Sequence, residues 1–340
     1  PIDKFRPSDK EIKRALKKKK GSNLIYFGPG VHNLPNDTLF VPSGTTVYID
    51  GGARVYGNIF TEGAHDVNIF GRGEVHPDGR GAGVWVRRSK NVRIDGIVVS
   101  QLPIGQCDSV ELTNVKSISY YGWGDGMDVF SSSNVILDGV FCRNSDDCTA
   151  VYASTQGFKG GSNNVLVKNA TLWADVAHPI NIGGHGDPNG MDTVQNVTFR
   201  NIDILDQAEN QIDYQGCLAI NPGDNTLVRN ITFENIRIED FRNGQLVNFR
   251  ISFNPKYCVS TGRGIHNVLV KDVTYNGSGE NLSIIAGYDE NHKISGIRFV
   301  NLVVNGRKIT DDMPGKPKWY KTGDMAGIFI GEHVENISFE

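Results

Sequence analysis

A short phrase of alternating apolar and polar residues recurs along most of the chain. Each copy begins with Asn, runs through alternating positions to a second Asn or Asp, and ends in another short apolar run. Clear copies begin at Asn91, Asn134, Asn164, Asn196, Asn230 and Asn267, and weaker ones at Asp66, Ser109, Gly296 and Asn336. Alternation with a period of two indicates β-strands, so each phrase predicts a strand, a corner and a second strand.

The spacing of these phrases predicts the architecture. The starts at positions 66, 91, 109 and 134 follow one another closely, and the later starts at 164, 196, 230 and 267 lie progressively further apart. A unit of this size without a helical segment cannot bury its apolar face alone, whereas stacked units can. We therefore expect an all-β fold, a right-handed parallel β-helix, with loops inserted on one side and an asparagine ladder along a corner. A β-sandwich is the alternative, but it predicts hairpin turns and no fixed phrase.

The N-terminal segment differs from the repeats. Ser8 and Glu11 form a capping-box pattern, and a short apolar face follows before Gly21. Because the end of a solenoid exposes an unpaired coil, we expect residues 7–20 to form a short N-terminal helix that caps it. The chain as a whole, residues 1–340, is expected to form a single β-helix domain.

Charge and cysteine content narrow the range of functions. The 340 residues carry 35 Lys and Arg against 38 Asp and Glu, which argues against a nucleic-acid partner because such proteins carry a concentrated basic face. No apolar stretch approaches the roughly 18 residues of a membrane-spanning helix, so no membrane partner is expected. The five scattered cysteines form neither a disulfide framework nor a zinc pattern, although one bridge is compatible with them. The chain begins at Pro1 without Met, which is compatible with the removal of a signal peptide or a preceding domain.

The chemistry is expected in one cluster of carboxylates. Asp125 and Asp128 are followed by the pair Asp146 and Asp147, and the separation of Asp125 from Asp146 matches the length of one coil. Residues one coil apart lie about 4.8 Å apart along the axis of a parallel β-helix, so Asp125 should stack beside the pair. Three carboxylates this close repel one another, and at least one should retain its proton near neutrality. A protonated acid beside ionised carboxylates is what glycoside hydrolysis requires.

Two other interpretations of this cluster stay open. Clustered carboxylates also bind calcium, and in a β-helix a calcium site would indicate a polysaccharide lyase with Lys or Arg as its base. No Lys lies close to the cluster in sequence, so we expect neither a metal nor another cofactor. The second alternative is a non-catalytic carbohydrate-binding or adhesin module that uses the same groove. Replacing Asp146 by Asn would separate them, because only an enzyme should lose turnover while still binding sugar.

The carboxylate motifs resemble those of a known clan of enzymes. Asp125-Gly-Met-Asp128 and Asp146-Asp147-Cys-Thr-Ala-Val resemble the inverting β-helix glycoside hydrolases of family 28, the polygalacturonases, and of family 49, the dextranases and isopullulanases. The resemblance implies that Asp146 is the general acid. It implies that Asp125 and Asp147 position and deprotonate the attacking water, without indicating which of the two is the base.

Two further residues resemble polygalacturonase motifs. His185, in Gly-His-Gly, matches the histidine beside the acid, and Arg250 matches the start of an Arg-Ile-Lys motif that grips substrate. The Lys of that motif is replaced by Ser252, so the cation pair expected for a galacturonate carboxylate is incomplete. Trp123 ahead of Asp125 is closer to family 49. The expected substrate is therefore an α-linked polysaccharide or oligosaccharide, either a dextran- or pullulan-like glucan or polygalacturonan.

Sugar binding also requires flat apolar platforms, because one face of a pyranose ring is apolar. Trp123 and Tyr152 lie next to the carboxylates in sequence and are the candidates, and Asp128 is a further candidate substrate-binding residue. The expected protein is a secreted or periplasmic glycoside hydrolase, a monomer whose partner is its carbohydrate substrate.

Overall fold

Short parallel strands form most of the protein, for which a computed structural model describes residues 3–17, 21–77, 79–278 and 281–340. The strands are Leu24–Phe27 (β1), Gly30–Phe40 (β2), Thr46–Ile49 (β3), Ala53–Glu62 (β4), His65–Gly71 (β5), Glu74–His76 (β6), Val84–Arg87 (β7), Lys90–Asp95 (β8), Val98–Val99 (β9), Ile104–Gly105 (β10), Asp108–Thr113 (β11), Lys116–Ile118 (β12), Val129–Phe130 (β13), Ser133–Asp138 (β14), Phe141–Asn144 (β15), Thr149–Tyr152 (β16), Ser162–Ala174 (β17), Ile180–Ile182 (β18), Thr193–Asp206 (β19), Leu218–Ile220 (β20), Leu227–Ile238 (β21), Val247–Arg250 (β22), Gly264–Tyr275 (β23), Ser283–Ala286 (β24), Ile294–Val300 (β25), Leu302–Val304 (β26), Arg307–Ile309 (β27), Ile328–Ile330 (β28) and Val334–Phe339 (β29). The helices are Asp9–Leu16 (α1), Thr322–Met325 (α2) and a 3₁₀ turn at Ile212–Tyr214.

Each strand pairs with its counterpart in the next coil and not with its neighbour in sequence. Among the named strands of the described residues, β26 and β27 form an antiparallel pair and the other pairings are parallel. The long strands β17, β19, β21 and β23 stack in order, each turning a corner within its own length. The predicted right-handed parallel β-helix is therefore confirmed.

The repeated phrase specifies the core. Its second residue stacks in one column through the molecule, from Val67 to Val92, Val110, Val135, Val165, Val197, Ile231, Val268, Ile297 and Ile337. These side chains belong to or pack against one apolar cluster that continues along the axis. The sequence alternates with the period of a strand because every second side chain points into this column.

The first residue of the phrase forms the predicted ladder. Asn134 donates to Asp108 at 2.8 Å, Asn164 to Asn134 at 2.7 Å, and Asn267 to Asn230 at 3.3 Å. The backbone φ angles of these four asparagines lie between 56° and 58°, a left-handed conformation that Asn tolerates better than most residues. Asn therefore has two functions at each corner: it adopts the backbone conformation of the turn, and its side chain donates a hydrogen bond to the preceding coil.

The N-terminal helix caps the first coil but is shorter than predicted. Ser8 and Glu11 form the expected capping box, with the Ser8 backbone N–H donating to the Glu11 carboxylate at 2.8 Å. The helix spans Asp9–Leu16 instead of 7–20, and residues 18–20 lie outside the described residues. Ile12 is its buried side chain. In the described part of the chain, no helix combines the length and apolarity needed to span a bilayer.

One wall of the solenoid positions the chemistry. It consists of the short strands β13, β16, β18, β20, β22 and β24, stacked in that order. Loops precede and follow these strands, so side chains from successive coils meet at both edges of the wall. All five cysteines lie within the described residues, and each is a buried free thiol.

Candidate active site

Three carboxylates meet just before strands β13 and β16. The Gly126 backbone N–H donates to the Asp147 carbonyl at 2.8 Å, which stacks the loop carrying Asp125 directly on the loop carrying Asp146 and Asp147. One carboxylate oxygen from each of these three residues lies within 4.8 Å of the other two. The clustering expected from the one-coil spacing is present in the structure.

A glycine allows this close approach. A Cβ atom on Gly126 would lie 2.2 Å from the Cys148 carbonyl oxygen and 2.6 Å from Asn144 Oδ1. The Asn144 side chain in turn donates to the Asp125 carbonyl at 3.1 Å. Any larger residue at position 126 would push the Asp125 loop away from the coil that carries the pair.

Asp147 is surrounded by donors. Its Oδ1 accepts hydrogen bonds from the backbone N–H of His178 at 3.1 Å and from His178 Nδ1 at 2.7 Å. Its Oδ2 accepts bonds from the Tyr152 hydroxyl and from Asn181 Nδ2, both at 2.9 Å. A carboxylate offers about four lone-pair positions, so protein groups occupy all of them.

His178 carries a positive charge in this arrangement. Its Nδ1 faces the Asp147 carboxylate and its Nε2 faces the carbonyl oxygen of Tyr214, so both ring nitrogens must donate. Burial alone would lower the pKa of His178, but the neighbouring Asp147 raises it. Burial alone would likewise raise the pKa of Asp147, but His178, Asn181 and Tyr152 together lower it. The result is a buried ion pair.

The other two carboxyl groups of the cluster, Asp146 and Asp125, have raised pKa values, in contrast to Asp147. Burial, and then the charge of Asp147, raise the pKa of Asp146 to about 6. Burial followed by the charges of Asp147 and Asp146 raises the pKa of Asp125 well above its ordinary value. Neither carboxylate accepts a hydrogen bond from a side chain among the described residues. The cluster therefore contains one fixed anion and two carboxyl groups that share a proton near neutrality.

Two residues predicted to bind substrate are buried instead. Asp128 is 5% exposed and accepts a hydrogen bond from the Ala150 backbone, and burial raises its pKa well above the ordinary value. Tyr152 is 9% exposed, because its ring stacks on Phe130 and its hydroxyl is bonded to Asp147. Their position in the protein interior leaves neither a carboxylate nor a ring face open to a sugar.

Trp123 and His185 lie at opposite edges of the wall. Trp123 precedes β13 with its side chain 69% exposed, while Gln101 holds its carbonyl oxygen at 2.9 Å. His185 follows β18, and its ring contacts Tyr152 edge-on with the centroids 5.1 Å apart. The histidine that bonds to the carboxylate pair, through Asp147, is therefore His178 and not His185 as predicted.

Arg250 is connected to the cluster through a loop. Its guanidinium forms an ion pair with Asp213 at 2.5 Å, and the adjacent Tyr214 supplies the carbonyl that accepts from His178. Beyond Arg250, a cleft of about 460 Å³ is lined by Phe253 and Tyr288 among others, and both of these rings are exposed. Apart from Asp213, the residues that line this cleft belong to the coils of β22 and β24, which follow the carboxylate cluster along the chain.

Sequence reasoning missed His178, Asn181 and Glu209. Glu209 is 7% exposed and contributes negative charge at both Asp146 and His178. The register between coils identifies His178. Thr149 pairs with Ile180 in the next coil, and the same offset along the chain places His178 next to Asp147. The Asp pair therefore has a one-coil partner after it in sequence as well as one before it.

The comparisons with known proteins identify the family of this chain. The family described as "Glycosyl hydrolases family 28" matches residues 82–313. The chain belongs to this family. Membership confirms the predicted clan and the predicted class of enzyme, and it removes support from the adhesin and lyase alternatives.

Individual relatives are distant. A probable exopolygalacturonase X from Aspergillus fumigatus is 26% identical over 291 residues, covering 79% of this chain and 58% of that protein. An exopolygalacturonase from Cochliobolus carbonum is 24% identical over 206 residues, covering 53% of this chain and 44% of that protein. The chain thus spans about half the length of the curated relatives it matches.

Solved structures share the fold at low identity. The family 28 exopolygalacturonase from Yersinia enterocolitica has a TM-score of 0.69 at 14% identity and covers 99% of this chain and 76% of that one. Dex49A from Penicillium minioluteum has a TM-score of 0.61, also at 14% identity, over 93% of this chain and 60% of that one. The predicted similarity to both families of the clan is confirmed at the level of the fold.

Proposed function

We propose that the protein hydrolyses an α-linked galacturonan, with Asp146 as general acid and Asp125 as the base that activates water. The observation that supports these roles is the difference among three adjacent carboxylates. Asp147 is saturated with donors, whereas Asp125 and Asp146 have free oxygens and raised pKa values.

The roles follow from which groups can give or take a proton. Asp146, with a pKa of about 6, can hold a proton for the glycosidic oxygen of the leaving sugar. Asp125 becomes a competent base once that proton resides on Asp146, because the two groups compete for it. Asp147 remains ionised against His178, and its fixed charge favours a retained proton on the neighbouring pair Asp125 and Asp146. His178 acts as a positioning residue that holds Asp147 in place.

The stereochemical outcome tests this division. The clan resemblance implies inversion, yet inverting enzymes usually separate their two carboxyl groups by about 6.5–9.5 Å, and here the nearest oxygens lie within 4.8 Å. We expect inversion, with the water held beside Asp125 and not between the two groups. Proton NMR of the first product formed should therefore show the β-anomer, and a first-formed α-anomer would instead indicate a covalent intermediate on one carboxylate.

A uronate substrate is favoured by the relatives and by two cations near the cleft. The curated relatives are named polygalacturonases, and Arg250 is one of the residues that line the cleft of about 460 Å³. Lys256 is exposed on the following turn, and its charge interacts with Glu209 and Asp146. We propose that Lys256 supplies the cation that Ser252 lacks, with exposed Trp123, Phe253 and Tyr288 as sugar platforms.

A neutral α-glucan is the second candidate, and one observation favours it. Asp213 already occupies the guanidinium of Arg250, so this cation is neutralised before any substrate arrives. A substrate without a carboxylate would not need to displace Asp213.

The location outside the cytoplasm, the single domain and the monomeric state of the protein are further proposals.

The deciding experiment measures reducing-sugar release from polygalacturonate, xylogalacturonan, dextran and pullulan. We expect release from a galacturonan that Asp146→Asn abolishes while calorimetry still detects oligogalacturonide binding. Asp108→Asn is the matched control, because Asp108 also stacks between coils but lies on the ladder. Release from dextran or pullulan alone would favour the glucan, and equal activity of the Asp146→Asn variant would refute the assigned acid.

A further inference from the structure

A second cluster of ligand-type side chains lies at the other edge of the same wall. His185, Asp224 and Cys258 follow strands β18, β20 and β22, which stack on one another in three successive coils. A ring nitrogen of His185, a carboxylate oxygen of Asp224 and the Cys258 sulfur all lie within 4.8 Å of one another. The chain returns to this one spot from three separate loops.

The backbone holds two of these side chains in place. Asp224 Oδ1 accepts hydrogen bonds from the backbone N–H groups of Val259 at 2.7 Å and Ser260 at 3.3 Å, while the Asp224 N–H donates to the Ser260 carbonyl at 2.9 Å. The Asp224 carboxylate is thus oriented by the loop that carries Cys258. A Cβ atom on Gly223 would lie 2.2 Å from the Cys258 sulfur, so a glycine is needed to seat the thiol here.

His185 is the member without a partner. Within the described residues its ring forms neither a hydrogen bond nor an ion pair, although it lies within 4.8 Å of a carboxylate and is held against Tyr152. The three ligand-type atoms lie close enough together for one cation to contact all of them. An imidazole without a protein partner, next to an oriented carboxylate and a thiol, is available as a metal ligand.

The donor set identifies the chemistry of that occupant. Imidazole nitrogen, thiolate sulfur and carboxylate oxygen are the three ligand types that zinc takes, usually in fourfold coordination. Calcium and magnesium prefer oxygen ligands alone, so they fit the carboxylates of the active site better than this cluster. The partly exposed position of His185 admits a water as fourth ligand.

We propose that His185, Asp224 and Cys258 bind one zinc-type cation, completed by water, which fastens three loops along the C-terminal edge of the catalytic wall. Binding requires the thiolate, so the Cys258 proton leaves to solvent as the metal enters. The role is structural. The cation would act on the active site by fixing the His185 ring. This ring contacts Tyr152, and the Tyr152 hydroxyl donates a hydrogen bond to Asp147.

The test uses the full chain, stripped with a chelator and titrated with Co²⁺ alone as the probe. A thiolate ligand gives cobalt a near-ultraviolet charge-transfer band, and we expect this band to saturate at one equivalent. Cys258→Ser should abolish the band, and His185→Ala should weaken cobalt binding by more than about tenfold. Cys107→Ser, a buried thiol elsewhere in the core, is the matched control and should behave like the parent protein.

Two further measurements separate this site from the active-site carboxylates. Asp146→Asn should retain the thiolate band, because Asp146 is not a ligand of the proposed site. Zn²⁺ should raise the unfolding temperature of the parent protein but not of His185→Ala, whose fold is checked by circular dichroism. Absence of the band in the parent protein, its persistence in Cys258→Ser, or loss of binding in Asp146→Asn alone would overturn the proposal. None of these measurements depends on the substrate or on hydrolysis.

Discussion

Aspartates stack between coils in two parts of this molecule, with opposite consequences. On the outer corner, Asp108 accepts a hydrogen bond from Asn134 in the next coil, and this bond lowers the pKa of Asp108. In the cleft, Asp125 and Asp146 stack against a third carboxylate, and burial and repulsion raise their pKa values. The coils stack in the same way in both places, so burial, the neighbouring charges and the amide donor together decide whether a stacked aspartate supports the fold or holds a transferable proton.

The largest expected difference between the two regions is in catalysis. Asp146→Asn should reduce kcat by about 10³-fold or more, since a positioned acid contributes about 10²–10⁴-fold, while Asp108→Asn should leave kcat within about twofold. The raised pKa of Asp146 means that ionisation of this group near pH 7 opposes folding. Asp146→Asn should therefore melt at a higher temperature than the parent protein at that pH. A slow variant with a lower melting temperature would indicate structural damage instead.

The second difference concerns two histidine–aspartate pairs. His178→Ala would leave Asp147 buried without its counter-ion, so we expect a loss of about 3–5 kcal/mol in the free energy of unfolding, measured by denaturant titration near pH 5.5. The pKa of His178 is raised in the folded state, so its contribution is complete below the ordinary value of 6.5 and disappears as pH rises through the raised value. The loss should therefore shrink in alkaline solution. His65→Ala removes the exposed pair with Asp66 and should have no measurable effect.

The third prediction concerns the pH dependence of the proposed reaction. Asp146 must be protonated to act as the acid and its pKa is about 6, so kcat/KM should fall tenfold for each pH unit above about 6. An aryl glycoside with an acidic leaving group does not need this proton and should lack the alkaline decline. The same decline with both substrates would assign it to another group.

The smallest effect should come from a second asparagine ladder, which the later Asn of successive phrases forms along another corner of the coils. Asn201 donates to Asn169 at 2.7 Å, accepts from Asn235 at 3.3 Å, and has a φ of 58°. Asn201→Gly removes both side-chain hydrogen bonds, but Gly adopts the left-handed backbone conformation readily. We therefore expect a loss of about 1 kcal/mol in unfolding free energy. Asn201→Ala also strains the backbone and should lose about 1 kcal/mol more. Equal losses in both variants would mean that the corner residue matters through its hydrogen bonds alone.

The sequence predicted the parts of this molecule that repeat. The alternating phrase was sufficient for the β-helix and the asparagine ladder, and the spacing from Asp125 to Asp146 was sufficient for the carboxylate cluster. His178 was missed because the Gly-His-Gly motif predicted His185 as the histidine of the site. The register between coils instead brings His178 into hydrogen-bonding contact with Asp147. The burial of Asp128 and Tyr152 could not be predicted, because it depends on which side of a short strand faces the core.

Asp125, Asp147 and His178 stack in three successive coils. Their spacing along the solenoid axis does not depend on how many residues each coil contains. Register pairs β13 with β16, β16 with β18, and β18 with β20, and each of these steps takes in more chain than the one before, yet each coil adds one layer. Loops can therefore gain or lose residues without moving the catalytic layer. The fold thus permits new specificity by exchange of loops between relatives, and chimeras should be joined at strand ends and not at equal intervals of sequence.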